Sequence, residues 1–444
     1  MPIKRKTFQT CRITAKTNLF DVATVSKQIK IYQMKIYINI WFYTLIFWFN
    51  AGVQAQKAID FTQAVKIAIA NNQKIRVANL ELLKQKASIN KAYDLENTQL
   101  NGEFGQFNSA YFDSGFGISQ GFSLPQVYKH KKDMYGQQAN TAEAYLKLSE
   151  FNINQRLDAL FLEYNYLNAK VSLLKRQDNL FEKYLEKSLI RWKTGESDIL
   201  EKTSAEQQRI NLSKQLNLTS KLLNLVEIEF NWLLNDKMQQ YLPLKDTFVV
   251  IPYYSIVDTN RLMKHPELIL ADREIQVAKA ATLVEKDGLL PRFSAGYRNV
   301  SIRGLGPDEV VYSGSDRFSS FQLGVYFPIF RKAINAAVKS SQLQEEIQNQ
   351  NYIGKRNEIV TTVAQKTLIY NELLGQLNDF QERSLPNAIM IRDISEKKYS
   401  AGEINYLDFV VLINQAINIE NEYLELVKQI NTLVIELKYL GVSN

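Results

Sequence analysis

Between residues 127 and 193 the apolar positions Ile153, Leu157, Leu160, Tyr164, Leu167, Val171, Leu174, Phe181 and Leu185 step by four and three, with Asp178 interrupting one position. That is the heptad spacing of a helix that needs a long partner along one side. No cluster of glycine and proline ends the stretch, so it predicts one helix of about 100 Å at about 1.5 Å per residue. Ordinary globular helices average about 11 to 12 residues. A second stretch of comparable length, 331 to 399, lies in the other half of the chain, and Pro386 within it is predicted to kink or break the helix by removing a backbone donor. Each long helix runs into a short turn, Thr194-Gly195-Glu196-Ser197 or Ala401-Gly402-Glu403, and then into a return helix, 198 to 235 or 405 to 440. The glycine of each turn supplies the left-handed position that ends one helix before the next begins.

Ahead of each long helix the period changes. Residues 60 to about 97 read as helical. Residues 100 to 108 and 115 to 125 then alternate apolar with small or polar side chains, and 292 to 302 and 319 to 330 do the same, which predicts two β-hairpins whose faces differ in character. The aromatic residues Phe104, Phe107, Phe116, Phe122, Phe321, Tyr326 and Phe327 suit either the core of a small sheet or the lipid-facing side of a membrane barrel. Four strands cannot close a transmembrane barrel, whose lower limit is about eight, so the membrane reading requires several copies of the chain.

The second half repeats the first. Gly195 and Gly402, Glu196 and Glu403, Leu200 and Leu407, Glu201 and Asp408, Gln208 and Gln415, and Asn211 and Asn418 all stand 207 positions apart. The offset is smaller before the hairpins, where Ala78 answers to Ala271 and Glu81 to Glu274, so the extra residues fall in the longer loop RGLGPDEVVYSGSD of the second hairpin. The organisation expected is a first repeat over 56–235 with its hairpin at 100–125, a connection over 236–258, and a second repeat over 259–444 with its hairpin at 292–330.

Residues 1–55 are set apart. Met34-Lys35 precedes an apolar run from Ile36 to Phe49 that ends at Val53-Gln54-Ala55, the three parts of a secretory signal peptide with cleavage after Ala55. Residues 1–33 then read as a spurious extension from an early start codon. This changes the charge argument, because the formal +8 of the chain includes +7 from residues 1–55 and leaves about +1 for the rest. A basic surface for nucleic acid is therefore not expected. The single cysteine, Cys11, lies in the same leader, so the exported part has no disulfide and no thiolate nucleophile.

The inventory of reactive groups argues against an enzyme. Only His130 and His265 occur; the first sits in a lysine-rich helix start and the second precedes Pro266, so both read as surface or capping residues. No HExxH, GxSxG, phosphate-loop or dinucleotide glycine pattern is present. No cofactor and no metal site is expected.

Duplicated in register with long helices and hairpins, the motifs Trp192-Lys193-Thr194-Gly195 leading to Glu201 and Tyr399-Ser400-Ala401-Gly402 leading to Asp408 make the chain resemble the TolC family of bacterial outer-membrane efflux channels. The resemblance covers nearly all of the exported part. It implies a mainly α fold with β: duplicated long-helix coiled-coil units plus two β-hairpins, three protomers forming a trimeric α-barrel continued by a 12-stranded transmembrane β-barrel. It implies a passive duct in the outer membrane, reaching into the periplasm and serving a periplasmic membrane-fusion adaptor and an inner-membrane efflux pump. Carried over by position, it makes Asp408, Glu201 and Tyr399 gate or pore residues, and Gly195, Glu196, Gly402 and Glu403 the tips that touch the adaptor. The chain departs from the family pattern where a second pore carboxylate is replaced by Val411 and the basic partner of the gate aromatic by Ile404. A periplasmic coiled-coil adaptor or scaffold is the competing reading; adaptors of that kind usually carry one hairpin and β domains that this chain lacks.

Overall fold

The computed structural model describes residues 56–252 and 262–441. The expected signal peptide and the extension before it, part of the connection and residues 442–444 lie outside the described residues. Among the described residues, five helices carry most of the fold. Helix α3, Pro125–Lys193, is continuous over 69 residues, and its return partner α4 spans Ile199–Leu234. In the second half α6, Lys332–Asp379, passes through a π-helical turn, Phe380–Ser384, into α7, Leu385–Ser400, and the return helix α8 spans Tyr406–Tyr439. The break expected at Pro386 is thus a widened turn rather than a gap. Pro386 stands in the first turn of α7, where its missing N–H and its ring are accommodated.

The apolar stripe read from the sequence is the buried seam. Ile153, Leu157, Leu160, Tyr164, Leu167, Leu174 and Phe181 are all buried, packed with Val226, Phe230 and Leu233 of α4 towards one end and with the tip residues of α4, α7 and α8 towards the other. Asp178 interrupts the stripe for a reason: its two carboxylate oxygens take Arg209 of α4 at 3.0 and 3.1 Å. The second half builds its own core from Ile359, Val363, Tyr370 and Leu377 of α6 against Leu426, Ile430, Val434 and Leu437 of α8. Between the halves, Tyr166 and Lys170 of α3 meet Glu425 of α8, Lys170 at 2.5 Å, while Lys428 of α8 pairs with Glu163 at 2.8 Å and lies 4.1 Å over the Tyr166 ring.

One expectation is corrected. Residues 60 to 97 do not form one helix: α1, Phe61–Asn71, stops at Asn72, and α2, Gln73–Ser88, restarts there and ends in a 3₁₀ turn, Ile89–Tyr93. Asn72 is buried, its side-chain oxygen caps Lys74 N–H at 2.9 Å and its amide donates to the Leu233 carbonyl at 2.8 Å. A side chain that satisfies both the new helix start and a neighbouring helix makes the break. The second-half counterpart is α5, Pro266–Asp287.

The connection between the halves is held by asparagines. Strand β4, Tyr241–Pro243, pairs in parallel with β1, Lys57–Ile59, and Asn231 both donates to and accepts from the Tyr241 backbone. Further on, Asn431 of α8 does the same for the Val249 carbonyl and the Ile251 N–H, each at 2.8 Å. The segment lacks helical period and is fixed by side chains reaching its backbone.

The two hairpins join into one antiparallel sheet of four strands: β2 Gln99–Gly105, β3 Asp113–Ser123, β5 Arg292–Ser301 and β8 Arg317–Tyr326, in the order β2-β3-β5-β8. The extra residues of the second loop form their own small ladder, β6 Gly304–Leu305 with β7 Val311–Tyr312. The register puts Leu100, Phe104, Phe116, Ile118, Phe122, Phe293, Tyr297, Phe321, Leu323 and Val325 on one face, because opposed residues in antiparallel strands share a face. The other face carries Asn101, Glu103, Gly115, Gly117, Ser119, Ser294, Gly296, Arg298, Ser320 and Gln322.

Candidate functional site

The apolar face of the sheet is uncovered in this chain. Leu323 is 88% exposed and Phe321 86% exposed, and Leu100, Phe104 and Phe116 are exposed too. The aromatic residues named from the sequence are therefore not a core. Phe104, Phe116, Phe122 and Phe321 line the apolar face, where Phe104 packs edge-on to Phe116 and Phe122 stacks on Phe293; Tyr326 falls on the opposite face and Phe327 lies just beyond the strand. Strands β2 and β8 each have a partner on one side only, so the sheet has two open edges. On its polar face Arg298 reaches across β3 to pair with Glu103 of β2.

At the opposite ends of the long helices lies the second candidate region. Both turns have the geometry the sequence predicts: Gly195 at φ +79° and Gly402 at φ +78°, with open space where a Cβ would stand. In the first turn Glu196 and Ser197 N–H donate back to the Arg191 carbonyl, and in the second Glu403 N–H donates to the Lys398 carbonyl. Glu196 and Glu403 are exposed.

Just behind the turns, Leu174, Phe181, Tyr184, Ala205, Tyr399, Tyr406, Phe409 and Ile413 form an apolar plug drawn from α3, α4, α7 and α8. Within it the two repeat-equivalent carboxylates have different surroundings. Glu201, in the first turn of α4, is 8% exposed and accepts a hydrogen bond from the Tyr399 hydroxyl of α7. Arg191, near the end of α3, stands 3.4 Å from both the Glu201 carboxylate and the Tyr399 oxygen, and its guanidinium lies 5.7 Å from the centre of the Tyr399 ring. Burial, reinforced by the Glu201 charge, holds the Tyr399 phenol protonated well above the ordinary tyrosine range. Asp408 is exposed instead, its backbone N–H donating to Asn405 Oδ1 and its carboxylate accepting from the Asn405 amide at 2.7 Å, a cap on the start of α8. Tyr399 and Glu201 thus come together in one chain, while Asp408 stands apart from them. Ile404 is half-buried against the plug, and the cation at the aromatic residue is Arg191. Arg191 was not legible as a partner, because ten positions of sequence separate it from Glu201 and 208 from Tyr399.

The histidines are structural. His265 caps α5, its Nδ1 accepting from Glu267 N–H at 3.3 Å; burial holds its pKa below the ordinary histidine value. His130 is neither a cap nor a free surface group. Its Nδ1 lies 2.8 Å from the buried Asp287 carboxylate and ties α3 to α5. Among the described residues no group of three or more His, Cys, Asp or Glu is arranged to hold a metal ion, and no helix is long and apolar enough to cross a membrane.

No family profile matches the sequence, and no curated protein does. Solved structures do. CusC, described through the conformational changes accompanying its folding and transmembrane channel formation, is 16% identical with a TM-score of 0.71, covering 88% of this chain and 94% of its own. A membrane protein from Pseudomonas aeruginosa is 15% identical at a TM-score of 0.71, covering 86% of this chain and 90% of its own. The outer-membrane channel OprN is 14% identical at 0.70, covering 86% and 90%. At these identities the likeness establishes the fold: duplicated long helices with a two-hairpin sheet.

Proposed function

We propose that the chain is an outer-membrane channel of the TolC family, the passive export duct of a tripartite efflux system that works with a periplasmic membrane-fusion adaptor and an inner-membrane efflux pump. The observation that carries the reading is the sheet: one face apolar and bare, the other polar and rich in glycine and serine, with both edges unpaired. Open edges cannot be left in lipid, where each unpaired backbone group costs several kcal/mol. Three copies joined edge to edge give a closed 12-stranded barrel, apolar outside and polar inside, within the range of single-chain outer-membrane barrels. The same three copies bring six long helix pairs into a tunnel below the barrel, longer than any globular core requires. An adaptor or scaffold role offers no use for a sheet with a bare apolar face.

At the far end of the tunnel the reading assigns the constriction to the plug behind the turns. Tyr399, Glu201 and Arg191 tie the second repeat to the first within each protomer, and Asp408 adds one carboxylate per protomer around the axis. The exposed turns at Gly195-Glu196 and Gly402-Glu403, farthest from the sheet along the helices, are where the adaptor docks. No cofactor takes part. Cell fractionation followed by sizing in detergent tests the reading: the expected result is a trimer in the outer-membrane fraction, and a monodisperse soluble monomer from the periplasm overturns it.

A further inference from the structure

The duplication makes one interface a template for another. Inside the chain, Tyr399 of the second repeat reaches Glu201 of the first, and Phe409 stacks on Tyr399 at 4.6 Å. Moved by the repeat offset, Tyr399 answers to Trp192, Phe409 to Lys202 and Glu201 to Asp408. The structure keeps this correspondence within each repeat. Lys202 lies 5.1 Å over the Trp192 ring, as Phe409 lies against Tyr399. Only the joining contact is unmade in the single chain: Trp192 is 40% exposed, and Asp408 is exposed with one carboxylate oxygen taken by Asn405.

We infer that Trp192 of one copy meets Asp408 of the next, donating its indole N–H to that carboxylate, with the Lys202 ammonium, which also pairs with Glu206 at 3.5 Å, beside it. The inference rests on the trimeric ring proposed above and names the seam between its protomers. An indole N–H is a donor with no acceptor capacity, and an ionised carboxylate only accepts, so the pair has one sense. Three such seams alternate with three Tyr399–Glu201 contacts. The two kinds differ in chemistry. The contact inside a protomer is buried among Tyr184, Tyr406 and Phe409, whereas the seam joins groups at the outer surfaces of two protomers, with a lysine beside them. The seam is therefore the one that salt screens and that parts first.

Cysteine pairing tests it. With Cys11, the single native cysteine, replaced by serine, the Trp192→Cys/Asp408→Cys double variant oxidised in outer membranes is expected to give linked dimers and trimers on non-reducing gels, which reductant removes and neither single-cysteine variant gives. Monomer alone, from a double variant that glutaraldehyde still links into trimers, overturns the seam but leaves the ring standing. If glutaraldehyde finds no trimer in the unsubstituted chain either, the ring fails and the seam fails with it. A second readout uses planar-bilayer conductance: Trp192→Phe and Asp408→Asn should each raise open occupancy about tenfold, through the loss of a hydrogen bond to a charged acceptor, and together no further. Additive effects of the two substitutions overturn the pairing.

Discussion

Glu201 and Asp408 occupy the same position of a repeated unit and have opposite surroundings, one buried under Tyr399 and Arg191, the other exposed on a helix cap. A buried carboxylate already bound to a phenol and a guanidinium adds little to the field in a pore. Asp408 contributes once the seam to Trp192 of the next copy has parted, which is the conducting state. Asp408→Asn should therefore weaken cation selectivity in bilayer recordings while Glu201→Gln does less; equal and negligible effects would assign Asp408 to a solvated helix face alone. Tyr406 offers a pH test of the same plug. Burial, with the Glu201 charge adding to it, pushes its phenol from 10.0 up to about 12. A raised pKa means that the fold prefers the neutral form, so this contribution to stability is intact below about pH 10 and is lost as pH rises through about 12. Phenolate absorbance of the protein minus that of Tyr406→Phe should show one tyrosine titrating near 12, and a difference midpoint near 10 would contradict its burial. The paired carboxylates and Tyr399 were legible because each recurs at a fixed distance from a glycine turn. Arg191 and the His130–Asp287 pair were not, since no periodicity tells which faces of two distant helices will meet.

The long helices and the hairpins were legible because a hydrophobic period of about 3.5 or 2 announces them over many residues. The break at Asn72 was hidden, since the helical period runs on across it and only one side chain decides. Asn72→Ala should cost about 1–3 kcal/mol, by leaving the Leu233 carbonyl and a helix start unsatisfied, and thermal unfolding in detergent checks the loss. The two tip turns give a sharper test. Nothing stands within 4 Å of a Cβ built on Gly195 or Gly402, so a side chain there meets no neighbour and only the left-handed backbone resists it. That resistance is about 1–2 kcal/mol per residue, and a β-branched residue raises it. Gly195→Val with Gly402→Val is expected to abolish efflux, read as cellular accumulation of a solute that the unsubstituted chain exports, while outer-membrane insertion continues; efflux at normal protein levels would show that the tips are not the docking point.

At the scale of the molecule the two faces of the sheet make opposite predictions for neighbouring positions. Leu323→Arg places a charge on the apolar face and should cost about 2–4 kcal/mol near the middle of a bilayer, lowering the trimer yield in outer membranes. Gln322→Arg, on the other face of the same strand, should leave the yield unchanged. Equal losses from both would mean that the apolar face does not meet lipid. The halves are also unequal as mechanical parts, an inequality that Pro386 announces in the sequence and a π-helical turn realises. The first-half helix runs 69 residues without interruption, but the second-half helix carries a π-helical turn 16 residues before its tip. At about 1.5 Å per residue those 16 residues form a lever of about 24 Å, with Tyr399 at its moving end. A change of about 20° at such a joint swings that end by about 8 Å, well beyond the reach of any hydrogen bond to Glu201. In the duct proposed above, the first half is then expected to stay fixed while the second moves, the seam to the next copy parting before the Tyr399–Glu201 tie.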